Sequence, residues 1–434
     1  MKYYCIGIKG SGMSSLANIL FDLGNDVSGY DDAQGYKYTM EGLEKRGIEI
    51  FYGPHDIDKD TIVTYSRAFK ADHPEMKRVR ELGLTVKEYK DVMGDITKMF
   101  KTIGVSGTHG KTTTSFMLSQ IFDNTLGCNY FVGDGTGYAT KDNEYFIIES
   151  DEFNKHLLAY YPTIAIITNI ELDHTECYPG GIEEIKDTFR QFANKAEVIV
   201  ANGDDANVRD IKFDKEVVYY GLNEDNDVVA KNVELSSTGT EFDCYIKGEL
   251  FGHFNLKLFG KHMIQNALSA IYVAYYYGIN EEDIQKYLSM FDGAKRRFKE
   301  KIIKDYITID DYAHHPTEIK VTIASARQKY PDKEIVAVFL PNTYSRTEAL
   351  MDDFVSSLSE ADKTYVMDIH CDREKPEEYP GVSSDTLIEK IPNAEKISVE
   401  DCDKLLKHKD SVICFMSCAN IYEIEDRFEE LVNE

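Results

Sequence analysis

One stretch limits what this chain can fold into more than any other: Gly104-Val-Ser-Gly-Thr-His-Gly-Lys-Thr-Thr-Thr114. Thr102 to Val105 is a short β-rich run, and Ser115 to Phe122 carries apolar residues at helical spacing, which predicts strand, glycine-rich turn, helix. Backbone N–H groups in such a turn converge on one spot and the helix N-terminus adds its dipole, so an anion is favoured there. Lys111 supplies a mobile positive charge for β- and γ-phosphates, and Thr112 a hydroxyl for Mg²⁺. The general phosphate loop has glycine where Val105 stands; here Gly104 and Gly107 flank that position, giving the tighter Gly-Thr-x-Gly-Lys-Thr. Gly107, Thr108, His109, Gly110, Lys111, Thr112 and Thr113 are expected to hold ATP.

The chain has 434 residues, enough for about three domains at roughly 150 residues each. A hydrophobic content of 42% supports real cores, and no apolar run approaches the length of a membrane span. The short apolar start Lys2 to Ile8 is cut off by Lys9-Gly-Ser-Gly12 before a signal-peptide core forms, so a cytoplasmic location is expected. The eight cysteines are scattered and complete no zinc set; buried reduced thiols are the expectation. With 49 Lys and Arg against 76 Asp and Glu the formal charge is −27, which argues against nucleic-acid or anionic-membrane binding. An anionic substrate must then meet local islands of positive charge, and two stand out: around Lys111, and at Lys295-Arg-Arg-Phe-Lys299.

From the start, residues 2–8 are predicted as a strand, followed by Gly7-Ile-Lys-Gly-Ser-Gly-Met13, a helix to about Leu23, and a second strand from Asp26 with Asp31 after it. This is a Rossmann-like opening with glycines spaced G-x-x-G-x-G, a turn suited to a diphosphate; NAD is the other ligand it suggests. Further strand–helix units follow to about residue 98, including a strand over 60–65 and a helix over 74–82. After the phosphate loop, Tyr145 to Ile148 leads into Glu149-Ser-Asp-Glu152, and Thr163 to Thr168 into Asn169-Ile-Glu-Leu-Asp-His174. Residues at the carboxyl ends of strands in a doubly wound sheet gather around the ligand crevice. Glu149 and His174 are therefore candidate metal ligands, against solvated charges at strand ends. Residues 215–258 are expected to alternate short strands and turns. His262 and Asn266 share a face at the start of an apolar helix predicted over 267–277, either as ligand contacts or as a buried helix start.

The last third alternates strand and helix again, hence parallel α/β: a strand over 306–309 ending in Asp310-Asp-Tyr-Ala-His-His-Pro316, a helix over 316–329, strands over 335–340 and 364–369, and a final strand over 411–416. The paired histidines could be base, ligand, phosphate contact or hydrogen-bonded helix start.

Together, Gly7-x-x-Gly-Ser-Gly-Met13, Gly107-Thr-His-Gly-Lys-Thr-Thr-Thr114, Glu149-Ser-Asp-Glu152, Thr168-Asn-Ile-Glu-Leu-Asp-His174, His262-x-x-x-Asn266, Lys295-Arg-Arg-Phe298, Asp310-Asp-Tyr-Ala-His-His-Pro-Thr-Glu318 and Tyr344-Ser-Arg-Thr347 resemble the Mur ligases, in their muramate-binding branch. The resemblance spans nearly the whole chain. It implies three α/β domains: residues 1–98 Rossmann-like for a UDP-sugar, 99–293 a phosphate-loop ATPase-type domain with a mixed or parallel sheet, and 294–434 Rossmann-like, closing over both and holding the amino acid. It also implies ATP-dependent ligation of L-alanine to UDP-N-acetylmuramate through an acyl phosphate, for peptidoglycan precursors.

By the same match Gly10, Ser11, Gly12, Met13 and Asp31 would serve the UDP-sugar, Lys111 the phosphates, and Thr112 and Glu149 one Mg²⁺. His174 would ligate a second Mg²⁺. His262 and Asn266 would meet the adenine side, Arg297 the phosphates, Asp311 the ribose, and His314 and Arg346 the alanine and acyl phosphate.

The chain departs from the pattern at Asn342, where the family has His, at Arg67 within Ser66-Arg-Ala68, at Lys9 inside the first glycine turn, and at Met416-Ser-Cys-Ala-Asn420, which loses two glycines. The lost glycines suggest a reshaped loop, and the departures leave open a related ligase acting on a murein tripeptide. A non-catalytic Mur-like subunit is the other alternative, opposed by the joint presence of Lys111, Thr112, Glu149 and His174.

Overall fold

The alternation of β-rich and helical runs becomes three sheets in the computed structural model, which describes residues 1–434 except 134, 295, 372 and 373. The first sheet orders its strands Glu49–Phe51, Asp26–Tyr30, Lys2–Ile6, Thr61–Tyr65 and Thr85–Glu88, all parallel. Strand order reverses at Lys2–Ile6, so the glycine turn after that strand lies at a switch point, where such sheets bind ligands. Gly7, at φ 81°, and Ile8 donate backbone hydrogen bonds to the Tyr30 carbonyl, folding the chain back before the helix Ser11–Asp22. That helix buries Leu16, Ile19 and Leu20.

The ten-stranded sheet runs Glu249–Leu256, Gly239–Ile246, Val228–Ser236, Val217–Gly221, Val198–Asn202, Ile164–Ile167, Lys101–Ser106, Tyr145–Glu149, Cys128–Val132 and Thr136–Tyr138. Lys101–Ser106 lies between two parallel neighbours, Ile164–Ile167 and Tyr145–Glu149, and all three are almost wholly buried. Strands buried along nearly their whole length suit a sheet covered on both faces. The sheet is mixed, because Thr136–Tyr138 pairs antiparallel with Cys128–Val132.

The third sheet is ordered Lys299–Ile303, Tyr306–Asp311, Val412–Met416, Ile335–Phe339, Lys363–Val366 and Ala394–Lys396. Its strands are parallel apart from the first pair, a hairpin turning at Lys304 (φ 50°), so the parallel arrangement expected for this third of the chain is broken at one edge. The strand expected to stop at Ile309 continues to Asp311, with Asp310 opposite Phe415 and Asp311 opposite Met416. Asp311 is tolerated there because the Phe298 and Ala313 amides donate to its carboxylate. The helix predicted from 267 begins at Lys261 and ends at Tyr276, while Pro316–Lys329 falls where the sequence puts it.

By internal packing the chain divides into two units: Met1–Lys231 with Asp243–Phe254 and Ile264–Phe291, and Asn232–Phe242 with Asn255–Met263 and Asp292–Glu434. In the first, one apolar core joins Leu16, Leu20 and Met93 to Phe131, Phe146 and Phe189. In the second, separate cores cover the two faces of the last sheet, one around Ile309, Phe339 and Phe354 and one around Val338, Phe415 and Phe428. All eight cysteines are free thiols, five of them buried. Among the described residues no helix is long and apolar enough to cross a membrane.

Candidate active site

Gly107 and Gly110 make the turn between Lys101–Ser106 and the helix Lys111–Asp123, at φ 138° and 83°. Both are crowded as well as left-handed. A Cβ on Gly107 would stand 1.9 Å from the Thr168 hydroxyl, and one on Gly110 2.7 Å from Asn266 Oδ1. Thr168 Oγ1 donates to the His109 carbonyl at 2.5 Å, and Asn169 holds the His109 amide (2.8 Å) and carbonyl (2.9 Å) through its side chain. The Thr108 amide donates to the Asn169 carbonyl. The end of the neighbouring strand thus clamps the turn, and two of its amides are spent on Asn169. An anion is left with the first-turn amides at Lys111, Thr112 and Thr113, which helix geometry leaves without an internal partner.

Lys111 Nζ donates to the carbonyls of Gly107 (2.5 Å) and Thr108 (3.0 Å) and to both Glu152 oxygens (2.8 and 3.1 Å). Burial alone would lower its pKa, but Glu152, Asp151 and Glu149 outweigh that and keep the ammonium protonated. Glu152, only 4% exposed, is the contact that sequence reasoning misses: Glu149-Ser-Asp-Glu152 points to Glu149 at the strand end, and nothing in its spelling marks Glu152 as the partner of Lys111. Thr112 Oγ1 donates to the Glu149 carboxylate, 3.1 Å from each oxygen, and the Gly133 amide donates to it at 2.9 Å. Burial pushes the Glu149 carboxyl up. His174, at φ 52°, packs edge-on against Phe153, with Nε2 4.0 Å from Glu152 and 3.8 Å from Asp173. Burial works against its protonation, yet Glu176, Asp173 and Glu152 raise its pKa overall. Lys111 and His174 thus both face Glu152, and Thr112 holds Glu149. Hard oxygen donors among a surplus of buried acid suit a divalent cation such as Mg²⁺.

In the same unit, the first glycine turn opens the helix Ser11–Asp22, with Gly10 at its N-cap and no side chain closing the cap. Asp31 accepts from the Lys9 and Ala33 amides at 3.0 and 3.1 Å, and Met13 is buried under the turn. Lys9 is 1% exposed: its ammonium donates to the Ala33 (2.6 Å) and Gly35 (3.0 Å) carbonyls and lies over Tyr52, so it ties a loop down. The Tyr89 hydroxyl comes within 3.3 Å of a Cβ built on Gly12, and Gly137 packs on the Ser15 carbonyl. Asn266 meets the phosphate turn through Gly110.

In the second unit, Glu318 is the hub. Its Oε1 accepts from Arg297 Nη1 at 2.9 Å, and its Oε2 accepts from the His314 and His315 amides at 3.0 and 3.2 Å. Of the paired histidines, His315 is the N-cap of Pro316–Lys329 and completes a capping box with Glu318; His314 Nδ1 faces the Tyr312 carbonyl at 2.9 Å. Burial raises the Asp311 carboxyl to about 6 against the pull of Arg297, and burial with Arg297 lowers His262 to about 4, so its imidazole is neutral at pH 7. Arg346 rides on the helix Tyr344–Ala349, whose first amides, at Tyr344 and Ser345, donate to Glu374. Lys295 lies outside the described residues. No residue over 416–420 takes a positive φ, so this loop manages without the glycines its pattern lacks.

A clamped glycine turn with lysine and threonine at its helix start, facing acids on the adjacent strand, defines a nucleotide-dependent enzyme of the phosphate-loop class. Residues 2–101 match the model for the Mur ligase family catalytic domain, 105–274 the Mur ligase middle domain, and 296–418 the Mur ligase glutamate ligase domain. The UDP-N-acetylmuramate–L-alanine ligase of Lacticaseibacillus casei is 42% identical, over 100% of this chain and 99% of its own. That of Levilactobacillus brevis is also 42% identical, over 99% and 97%. Among solved structures, the UDP-N-acetylmuramate–alanine ligase of Thermotoga maritima superposes with a TM-score of 0.79 at 24% identity, covering 100% of this chain and 99% of that one. A murein peptide ligase from Psychrobacter arcticus gives 0.70 at 22%, covering 100% and 99%. The chain belongs to the Mur ligase family. It is an ATP-dependent ligase that forms amide bonds.

Proposed function

We propose that this protein joins L-alanine to the carboxylate of UDP-N-acetylmuramate with ATP, releasing ADP and phosphate, as a cytoplasmic step of peptidoglycan precursor synthesis. The observation that carries the reading is the Lys111 ammonium held at the phosphate turn beside the Thr112–Glu149 pair. The 42% identity over the whole chain to ligases of that name supports the choice of substrates. Residues 1–98 are assigned the UDP-sugar, with Gly10, Ser11, Gly12, Met13 and Asp31 at its diphosphate; 99–293 the ATP; and 294–434 the amino acid.

A muramate carboxylate and a polyphosphate repel, so cationic groups must stand between them. Lys111 exchanges Glu152 for phosphate oxygens when ATP arrives, and Arg297 exchanges Glu318 in the same way. A carboxylate oxygen attacks the γ-phosphorus and ADP leaves. The alanine amine then attacks the acyl carbon, and phosphate departs with the former carboxylate oxygen. Thr112, Glu149 and His174 would hold Mg²⁺, which supplies Lewis-acid neutralisation of phosphate charge. Asn266 and neutral His262 are assigned the adenine side, Asp311 the ribose, and His314 and Arg346 the alanine and acyl phosphate.

The test is phosphate release by the purified protein. Turnover that needs both UDP-N-acetylmuramate and L-alanine is expected. Turnover that needs neither overturns the ligase reading, and turnover with a murein tripeptide in place of L-alanine moves the protein to the recycling branch.

A further inference from the structure

Arg296 has no part in the chemistry above, yet its side chain is among the most constrained in the second unit. The residue is left-handed (φ 54°), and its carbonyl accepts from the Tyr312 amide at 2.9 Å. Its guanidinium lies between two aromatic rings, 5.0 Å from the centroid of Tyr312 and 4.9 Å from that of Tyr422. Nη2 donates to two carbonyls of one loop, Ser417 at 3.1 Å and Ala419 at 3.4 Å. Nε, which has no hydrogen-bond partner, faces Asp310 Oδ2 at 3.9 Å. A planar fork that spans two carbonyls while stacked on aromatic rings is a task for arginine; lysine offers one compact point charge.

The loop so held follows the central strand Val412–Met416 of the last sheet, at the carboxyl edge where such sheets bind ligands. Its other ties are local: the Ser417 hydroxyl donates to the Leu340 carbonyl, the Ser417 amide to the Asp311 carbonyl, the Ala419 amide to the Ser417 hydroxyl, and the Ile421 amide to the Ala419 carbonyl, which it shares with Arg296. Between the two captured carbonyls sits Cys418, close enough to Arg346 for that guanidinium to pull its pKa down, although burial wins and pushes the thiol up to about 11.

We propose that Arg296 is a positioning residue for the amino-acid substrate: by gripping the Ser417 and Ala419 carbonyls it fixes residues 417–419 beside Arg346 without touching the substrate. The proposal rests on the ligase reading for the identity of the site and on the geometry alone for the grip. The arginine thereby restrains from outside a loop that has no glycine turn of its own.

Arg296→Lys keeps the charge and removes the two-carbonyl fork. With whichever amino acid supports wild-type turnover, its KM should rise about tenfold, while KM for ATP and kcat at saturating amino acid stay within about threefold. An independent readout is the alkylation rate of Cys418 by iodoacetamide, located by peptide mapping. It should rise severalfold in Arg296→Lys, because the restraint on either side of the thiol is gone. An unchanged amino-acid KM together with unchanged Cys418 reactivity overturns the proposal. A parallel loss in all kinetic constants and in the melting midpoint overturns it too, by making Arg296 a general structural residue. If the wild type needs no amino acid, the ligase reading fails on that control, and the alkylation rates still decide whether Arg296 holds the loop.

Discussion

Replacing Gly107 by alanine is the sharpest stress on the nucleotide turn. At φ 138° an L-residue is strained by about 1–3 kcal/mol. The new Cβ would also stand 1.9 Å from Thr168 Oγ1, which must swing away and release its bonds to the His109 and Ser106 carbonyls, at about 1 kcal/mol each. The sum, about 3–5 kcal/mol, falls on the conformation that presents the Lys111 helix start, and corresponds to a loss of roughly two to three and a half powers of ten in ATP affinity. Gly181→Ala is the matched control. It too has positive φ (65°), but its Cβ would meet open space, so the cost is left-handed strain of about 1 kcal/mol, away from the turn. Calorimetric titration with ATP, alongside thermal melts, measures both. Gly181→Ala should bind ATP as the wild type does. A Gly107→Ala protein that binds within about threefold of wild type would refute the packing argument, since a displaced Thr168 and a strained turn cost more than that.

Lys111→Met should cut turnover by about a thousandfold or more and, by leaving Glu152 buried without its cation, destabilise the fold by about 3 kcal/mol. Adding Glu152→Gln should restore the melting midpoint but not the turnover; restored turnover would remove Lys111 from the chemistry. Thr112→Val should raise the Mg²⁺ concentration for half-maximal turnover by about tenfold, and an unshifted Mg²⁺ curve would take Thr112 out of the metal site. Glu425 gives a pH test. Burial, with Asp310, Asp426 and Glu429 beside it, pushes its carboxyl from 4.5 up to about 7, against a smaller pull from Lys301. A folded-state pKa above the unfolded one means stability that is present in full below pH 4.5 and lost as pH rises through 7. Glu425→Gln mimics the protonated form, so it should melt like the wild type near pH 5 and a few degrees higher at pH 8. Equal midpoints at both pH values would contradict the burial argument.

The parts of the site that were legible in the sequence are those fixed locally. Gly107 to Thr112 announces its own turn, and His315-Pro-Thr-Glu318 spells a capping box with proline at the first helical position, although paired histidines after a strand fit a base, a ligand or a phosphate contact as well as a helix start. What stayed hidden depends on partners far along the chain. Which acid of Glu149-Ser-Asp-Glu152 turns to Lys111 is decided where the chain leaves its strand through two left-handed residues, Asn154 and Lys155, and no periodicity reports that. Arg297 meets Glu318 across 21 positions, and Arg296 meets Ser417 across 121. From sequence Lys9 is only a departure inside the first glycine turn, and it takes the fold to show its ammonium spent on the Ala33 and Gly35 carbonyls. Strand ends shift for the same reason: Asp310 and Asp311 look like a loop until Val412–Met416 pairs beside them.

The central claim is that a sugar carboxylate becomes an acyl phosphate before the amine captures it, and one isotope measurement tests it directly. UDP-N-acetylmuramate labelled with ¹⁸O in its carboxylate is turned over with ATP and L-alanine, and the released phosphate is weighed by mass spectrometry. One labelled oxygen in each phosphate is the predicted result, because the carboxylate oxygen that attacks phosphorus leaves with it. Phosphate without label, from a reaction that still forms the amide, would contradict the account.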